Sequence, residues 1–272
     1  MKLLSLSLRV LLALALILGV TGYSFADTAK IGLVVMHGKG GSPSRHVDQF
    51  ANTLKSDGYL VKNLDMPWSK KREYSASVST AVNEVDKAIE TMRAQGATHI
   101  FVSGHSQGAA FALHYAGLRD IDGIIGLAPG GHKGGKIFRK KLGKYVSKAK
   151  QLAANGKGDV STQLMDYEGS KGTYPVIVTP NNYLSWFDPE GAMNMFKTAR
   201  QVKGDIAVLW AVAESDYKAL KRIMPKLFNK FLSEHPHATL YHPKSDHLGA
   251  PTASIEKVKQ WIADVVEASP NK

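Results

Sequence analysis

Ile100-Phe101-Val102-Ser103-Gly104-His105-Ser106-Gln107-Gly108-Ala109-Ala110-Phe111-Ala112-Leu113 is the stretch that decides how this chain folds. Its first four residues form a short apolar run of the buried-strand kind, and from Ala109 a helical run begins. Between them stands Gly-x-Ser-x-Gly, as Gly104-His105-Ser106-Gln107-Gly108. The pentapeptide alone is a weak signal; a strand directly before it and a helix directly after it make it informative. That strand–turn–helix places Ser106 on a strained turn, its hydroxyl exposed and a helix N-terminus behind it. The flanking glycines relieve crowding that a Cβ would cause there.

The same rhythm extends in both directions. Strand-like runs occur at Ile31–Met36, Tyr59–Asp65, His99–Gly104, Ile121–Ala128, Ile206–Ala213 and Ala238–His242. Helical patterns fill most gaps, at Ser44–Ser56, Ser75–Gln95, Ser106–Leu118, Tyr217–Ser233 and Thr252–Ala268. Val78, Val82, Val85, Ile89 and Met92 make an amphipathic stripe at helical spacing. Alternating strands and helices predict an α/β fold: a mostly parallel sheet of about six strands with helices on both faces.

One segment breaks the rhythm. About 75 residues separate Pro129 from Gly204, far more than a crossover requires. The segment opens on Pro129-Gly130-Gly131-His132-Lys133-Gly134-Gly135 and continues as a basic helical pattern, Lys136–Ala154, with Lys136, Lys140, Lys144 and Lys148 four residues apart. No acidic residue occurs from Gly123 to Gly158. We expect 129–204 to be a cap-like insertion over the active end of the sheet, within a single domain spanning 27–272.

The 272 residues are 44% hydrophobic and 21% charged, which excludes a disordered chain, a collagen-like repeat and a coiled coil. With no cysteine, disulfides, thiolate metal sites and a thiol nucleophile are excluded. The net charge of +12 favours anionic partners, but no basic pattern interleaved with aromatics points to nucleic acid. Lys2 and Arg9 precede or border an apolar run, Val10–Val20, followed by small residues at Ser24 and Ala26. This is the pattern of a secretory signal peptide, 1–26, and the run is short for a membrane span. Cleavage after Ala26 leaves 246 of the 272 residues and, with Lys2 and Arg9 removed, takes the charge from +12 to +10. The expected destination is the bacterial periplasm or the medium.

With these features together the chain resembles the α/β-hydrolase family, its dienelactone-hydrolase-like branch most closely at fold level. His37-Gly38-Lys39-Gly40-Gly41 looks like the family's oxyanion loop, and Gly104–Gly108 like its nucleophile elbow. Asp216, after the fifth recognisable strand, stands where the family places its acid, and His247, after the last, where it places its base. The order Ser, Asp, His is the family's own. The resemblance implies a nucleophile at Ser106, a general base at His247, an orienting acid at Asp216, and oxyanion donors in the backbone N–H groups of Lys39 and Gln107. It implies an exported serine hydrolase that cleaves small-molecule or acyl esters through an acyl-enzyme, with no metal or organic cofactor. An amidase, peptidase or thioesterase would use the same residues.

Other readings stay open beside this one. Ser106 is also a plausible helix N-cap residue. Glu214 and Asp246 are rivals to Asp216. His235, His237 and His242 lie close together without a metal-ligand pattern, and His37 and His105 suit structural roles. Trp68, Tyr183, Trp186 and Phe187 either line a substrate pocket or pack the insertion onto the core. The lysine stripe is either a solvated helix face or an attractor for an anionic substrate, membrane or polymer; through it, a non-catalytic binder of envelope components is a further alternative.

Overall fold

Six runs of apolar residues build one parallel sheet: β1 (Ile31–Met36), β2 (Leu60–Leu64), β3 (His99–His105), β4 (Gly123–Leu127), and two later strands, Ala207–Ala211 and Thr239–Tyr241. A computed structural model describes residues 30–269; the expected signal peptide falls outside them. Between β4 and Ala207 two further strands intervene, β5 (Thr162–Glu168) and β6 (Gly172–Val178), so the last two sheet strands are β7 (Ala207–Ala211) and β8 (Thr239–Tyr241). The sheet order is β2-β1-β3-β4-β7-β8, with every neighbouring pair parallel.

The central strands are buried on both faces, which explains their uninterrupted apolar sequence. Successive side chains point to opposite faces. Val34, Met36, Ile100, Val102, Val208 and Trp210 join one core, while Leu33, Val35, Phe101, Leu209 and Ala211 join the other. Helices α1 (Asp48–Ser56) and the C-terminal helix Ile255–Glu267 cover the second face; α2 (Val78–Ala94) and α3 (Gln107–Ala116) cover the first. The result is the three-layer α/β arrangement expected from the alternation of elements.

Boundaries moved where local chemistry overrides periodicity. Helix α1 starts at Asp48, not Ser44, because 37–47 is a loop. Helix α2 starts at Val78, capped by Ser77, whose side chain accepts from the Thr80 amide. The stretch expected as one helix over Thr252–Ala268 divides at Ser254 into Ala250–Ala253 and Ile255–Glu267.

The long segment after β4 folds back onto the first face. It contains α4 (Lys136–Leu152), the antiparallel pair β5–β6, α5 (Pro180–Phe187) and α6 (Met195–Thr198). Leu142, Val146 and Ala149 of α4 are buried, while Lys136, Lys140, Lys144 and Lys148 are exposed. After β7 come α7 (Lys218–Phe231), β8, α8 (Ala250–Ala253) and α9 (Ile255–Glu267). Among the described residues, no helix is long and apolar enough to cross a membrane.

Candidate active site

The chain reverses its direction of travel across the sheet between β1 and β3: β2 lies to one side of β1, and β3 and the rest to the other. Loops leaving the C-terminal ends of neighbouring strands diverge at such a point and leave a crevice. Met36 at the end of β1 is in register with Gly104 of β3, so His37-Gly38-Lys39 and His105-Ser106-Gln107 leave the sheet side by side.

Ser106 occupies the tight turn between β3 and α3 with φ 54° and ψ −112°. A positive φ is costly for a residue with a Cβ, on the order of 1–3 kcal/mol. The turn is held by backbone bonds from Ser106 N to Leu127 O and from Gly130 N to Ser106 O, 3.0 and 3.1 Å. The Ser106 side chain accepts no bond from the α3 amides, so its position before the helix is not that of a side-chain cap. Its hydroxyl instead lies 3.0 Å from Nε2 of His247. Nδ1 of His247 lies 2.8 Å from Oδ1 of Asp216, which also accepts from the Tyr217 amide at 2.6 Å. Asp216 leaves the end of β7 and His247 the end of β8, so loops from the C-terminal ends of β3, β7 and β8 bring the three side chains into one hydrogen-bonded line. Asp246 instead accepts from the amides of Leu248 and Gly249, and Glu214 is exposed. The acid in the line is therefore Asp216.

A neighbouring histidine fixes His247. His105 is buried, and its Nε2 lies 2.8 Å from the His247 carbonyl, to which it donates. Burial first, and the nearby charge of His247 second, push its pKa down to about 3. It is thus neutral at ordinary pH and acts as a rigid strut. His37 plays a similar part under the loop that follows β1. Its Nδ1 donates to Gly38 O at 2.7 Å, its Nε2 accepts from the Met66 amide at 3.1 Å, and Trp68 Nε1 donates to its carbonyl. With Nε2 an acceptor the ring is neutral, consistent with burial lowering its pKa; Asp65, 3.6 Å away, is not an ionic partner in that state.

Gly38 packs against Ser106: a Cβ there would stand 3.1 Å from the Ser106 Cβ. Among the described residues the backbone N–H groups of Lys39 and Gln107 meet no acceptor. Lys39 follows Gly38, which packs against Ser106, and the Gln107 amide is the first of α3, where the helix dipole adds to its pull on negative charge.

The aromatic residues are packed together. Trp68, Tyr183, Trp186 and Phe187 are all buried. Trp68 and Trp186 meet edge to face at 5.4 Å, and Tyr183 stacks on Phe187 at 4.3 Å. Trp186 Nε1 donates to Ala76 O and Tyr183 OH to Met165 O. These rings fasten the insertion to the core. His235 and His242 each bond a backbone carbonyl through Nδ1, and no cluster of three or more His, Asp or Glu suited to a metal occurs among the described residues.

A cluster the sequence did not single out lies on the insertion side. Asp166 of β5 has no exposed surface and collects Lys39, Tyr74, Lys133, the Tyr167 amide and Tyr174 around its carboxylate. Lys133, from the Gly-rich turn, is itself buried, 4.5 Å from the Phe138 ring centre and 4.4 Å from that of Phe187. Burial lowers the Lys133 pKa to about 7 against the opposing pull of Asp166. Burial by itself would raise the Asp166 pKa, but Lys133, Lys39, the Tyr167 amide and Tyr174 hold it below the usual carboxylate range. The only sequence signal was a lone acid between Met165 and Tyr167.

This cluster sets a pH dependence of stability. Across pH 7 to about 10 the unfolded chain binds more protons at Lys133 than the folded one, so this lysine makes stability rise with pH. The expected slope is at most on the order of 1 kcal/mol per pH unit. Denaturant unfolding at pH 7 and pH 9 will show the rise in wild type and a flatter response in Lys133→Met; equal slopes would refute it.

Comparison with known proteins bears on the same geometry. A family model described as serine aminopeptidase, S33, matches residues 27–173, more than half of the chain. The chain belongs to this family. The match covers His37–Gly41 and Gly104–Gly108 of this S33 hydrolase and stops within β6, before Asp216 and His247; it is to the α/β-hydrolases at large, not specifically to their dienelactone-hydrolase branch. Among solved structures, the S33 chain is similar to a monoacylglycerol lipase from Paleococcus ferrophilus, with 20% identity, TM-score 0.60, and 86% of this chain and 94% of that one covered. DcsB, in complex with its substrate analogue, is similar at 12% identity and TM-score 0.64, over 88% and 92%. Est1E from Butyrivibrio proteoclasticus is similar at 15% identity and TM-score 0.57, over 88% and 89%. At such identities the likeness is one of fold. No curated protein matches the sequence.

Proposed function

We propose that the protein is an exported serine esterase working through an acyl-enzyme on Ser106. The observation that carries this reading is the line Asp216–His247–Ser106, at 2.8 and 3.0 Å. A serine hydroxyl is a weak nucleophile until a base takes its proton. His247 Nε2 takes it as Oγ attacks the ester carbonyl, and the resulting imidazolium is held at Nδ1 by Asp216. The carbonyl oxygen, now an oxyanion, receives the N–H groups of Lys39 and Gln107. As the tetrahedral adduct collapses, the alkoxide leaves with the proton from His247; water repeats the sequence to free the acid. Nothing in this sequence of steps calls for a metal or cofactor. The similar lipase and esterase folds agree with ester chemistry, while the family's aminopeptidase description keeps amides in view.

The insertion spanning 129–204 acts in this reading as a cap whose aromatic rings are committed to packing. The open volume beside the loop that follows β1, about 690 Å³, is bordered by Gly40, Pro43, Arg45, Asp65, Lys70 and Lys71, and most of the surface it exposes is apolar. With Trp68, Tyr183, Trp186 and Phe187 all buried in packing, the expected substrates are short-chain esters. Hydrolysis of p-nitrophenyl esters from acetate to palmitate, beside amino-acid p-nitroanilides, tests this. An optimum at acetate to butyrate is expected; one at palmitate would overturn the short-chain assignment, and a preference for anilides would overturn the esterase reading. Export is proposed from Lys2–Ala26, and a mature N-terminus at Asp27 on protein recovered outside the cytoplasm decides it.

A further inference from the structure

Asp166 belongs to β5, far from the sheet end that carries Ser106 in sequence, yet its carboxylate connects to both candidate oxyanion donors. Lys39 Nζ donates to Asp166 Oδ1 at 3.2 Å and to Tyr167 O at 2.7 Å. Gln107 Nε2 contacts Tyr74 OH at 3.5 Å, and that hydroxyl donates to Asp166 Oδ2 at 3.0 Å. So the two candidate oxyanion residues have their side chains tied, directly or through one hydroxyl, to one buried carboxylate. We propose that Asp166 is a positioning residue for the oxyanion hole, through which the insertion holds the Lys39 and Gln107 amides in place. This rests on the esterase reading of the site.

Three observations support it. First, the carboxylate is saturated: Tyr174 OH at 2.9 Å, the Tyr167 amide at 2.6 Å and Lys133 Nζ at 3.4 Å complete its shell. A buried carboxylate with several donors is fixed in place, because losing any of them leaves charge uncompensated in a dry site. Second, Tyr74 is placed at a backbone cost. It is buried at φ 62°, a region bulky side chains avoid, and strain of that kind persists only where surrounding contacts over-determine it. Third, Gln107 is clamped from behind. A Cβ on Gly131 would stand 3.1 Å from the Gln107 Cα and 3.2 Å from its Cβ, so the Gly-rich turn that delivers Lys133 also presses on Gln107.

The consequence is geometric. Oxyanion donors must sit about 2.7–3.1 Å from an oxygen that exists only during reaction, and a displacement of about 1 Å can lower turnover roughly 10²-fold. Asp166→Asn keeps the shape but removes the charge that anchors Lys39. Lys39→Met and Tyr74→Phe each cut one branch and keep the backbone amides.

The test uses the full-length mature chain and a fluorophosphonate, whose phosphoryl oxygen occupies the oxyanion position when Ser106 displaces fluoride. Labelling at Ser106, located by mass spectrometry, needs no knowledge of the natural substrate. Asp166→Asn is expected to label about tenfold or more slowly than wild type, with an unchanged pH midpoint. Ester turnover should show kcat falling and KM within about twofold. Adding Lys39→Met to Asp166→Asn should bring little further loss, because both cut the same link. If Asp166→Asn does not fold, Lys39→Met and Tyr74→Phe carry the test, each expected to slow labelling about fivefold or more at wild-type near-UV circular dichroism. Folded variants that label at the wild-type rate would overturn the proposal and leave the esterase reading standing. A wild-type chain that does not label at Ser106 would instead bring down that reading, and this proposal with it.

Discussion

Replacing Ser106 by alanine is expected to lower kcat for ester hydrolysis by roughly 10⁴–10⁶ while the protein stays folded. The hydroxyl is the only atom of this side chain that faces His247, at 3.0 Å, and no other serine hydroxyl is bonded to that imidazole among the described residues. What remains after its removal is catalysis by water held near the oxyanion donors, worth about 10³–10⁴ over the uncatalysed reaction in serine hydrolases of this kind. Stability should change little, because alanine keeps the Cβ and inherits the same φ of 54°. Ser106→Gly should be equally inactive but more stable, since glycine removes strain on the order of 1–3 kcal/mol. Steady-state kinetics on the best p-nitrophenyl ester, with a thermal melt of each variant, checks both parts. A Ser106→Ala protein keeping more than about 1% of wild-type turnover would rule out the assigned nucleophile.

The sheet and the order of the site residues were legible because they are local. Buried strands are short apolar runs bounded by turns, and all six sheet strands fall within one to two residues of their expected ends. The elbow announces itself through Gly104 and Gly108. What was hidden is non-local or weakly patterned. β5 escaped notice because Thr162–Glu168 has no regular polar–apolar alternation: one face carries Gln163 with the half-buried Met165 and Tyr167, and the other mixes Leu164 with Asp166. Lys133 carries no sequence mark that separates it from the exposed lysines that follow, yet it is buried. Its partner lies 33 residues on, and Lys39 meets the same carboxylate across 127 residues. No periodicity reports such a meeting. The aromatic cluster shows the converse limit, since composition marks Trp186 and Phe187 as buried or ligand-facing alike and only packing separates the two.

The sharpest structural test of the elbow is Gly104→Ala, expected to be the most disruptive single methyl in the chain. A Cβ at Gly104 would lie 2.1 Å from the Gly108 carbonyl carbon, 2.2 Å from its oxygen and 2.5 Å from the Ala109 nitrogen. These are backbone atoms of the first turn of α3, so no rotamer change can relieve them. Either β3 and α3 separate, undoing the turn that carries Ser106, or the chain fails to fold. A loss of about 4 kcal/mol or more is expected, a large share of a typical total of 5–15. Gly108→Ala should be intermediate, since its Cβ would press on Met36 O at 2.6 Å and His37 O at 3.0 Å, pushing α3 away from the oxyanion loop and reducing activity before stability. Gly143→Ala is the control. It adds the same methyl inside α4, where nothing lies within 4 Å, and should stabilise by about 0.4–1 kcal/mol. Soluble yield and thermal midpoints of the three variants should rank Gly143 above wild type, Gly108 below it and Gly104 last. A Gly104→Ala protein melting within about 4 °C of wild type, equivalent to roughly 1–2 kcal/mol at this size, would mean that β3 and α3 do not approach as closely as the elbow requires.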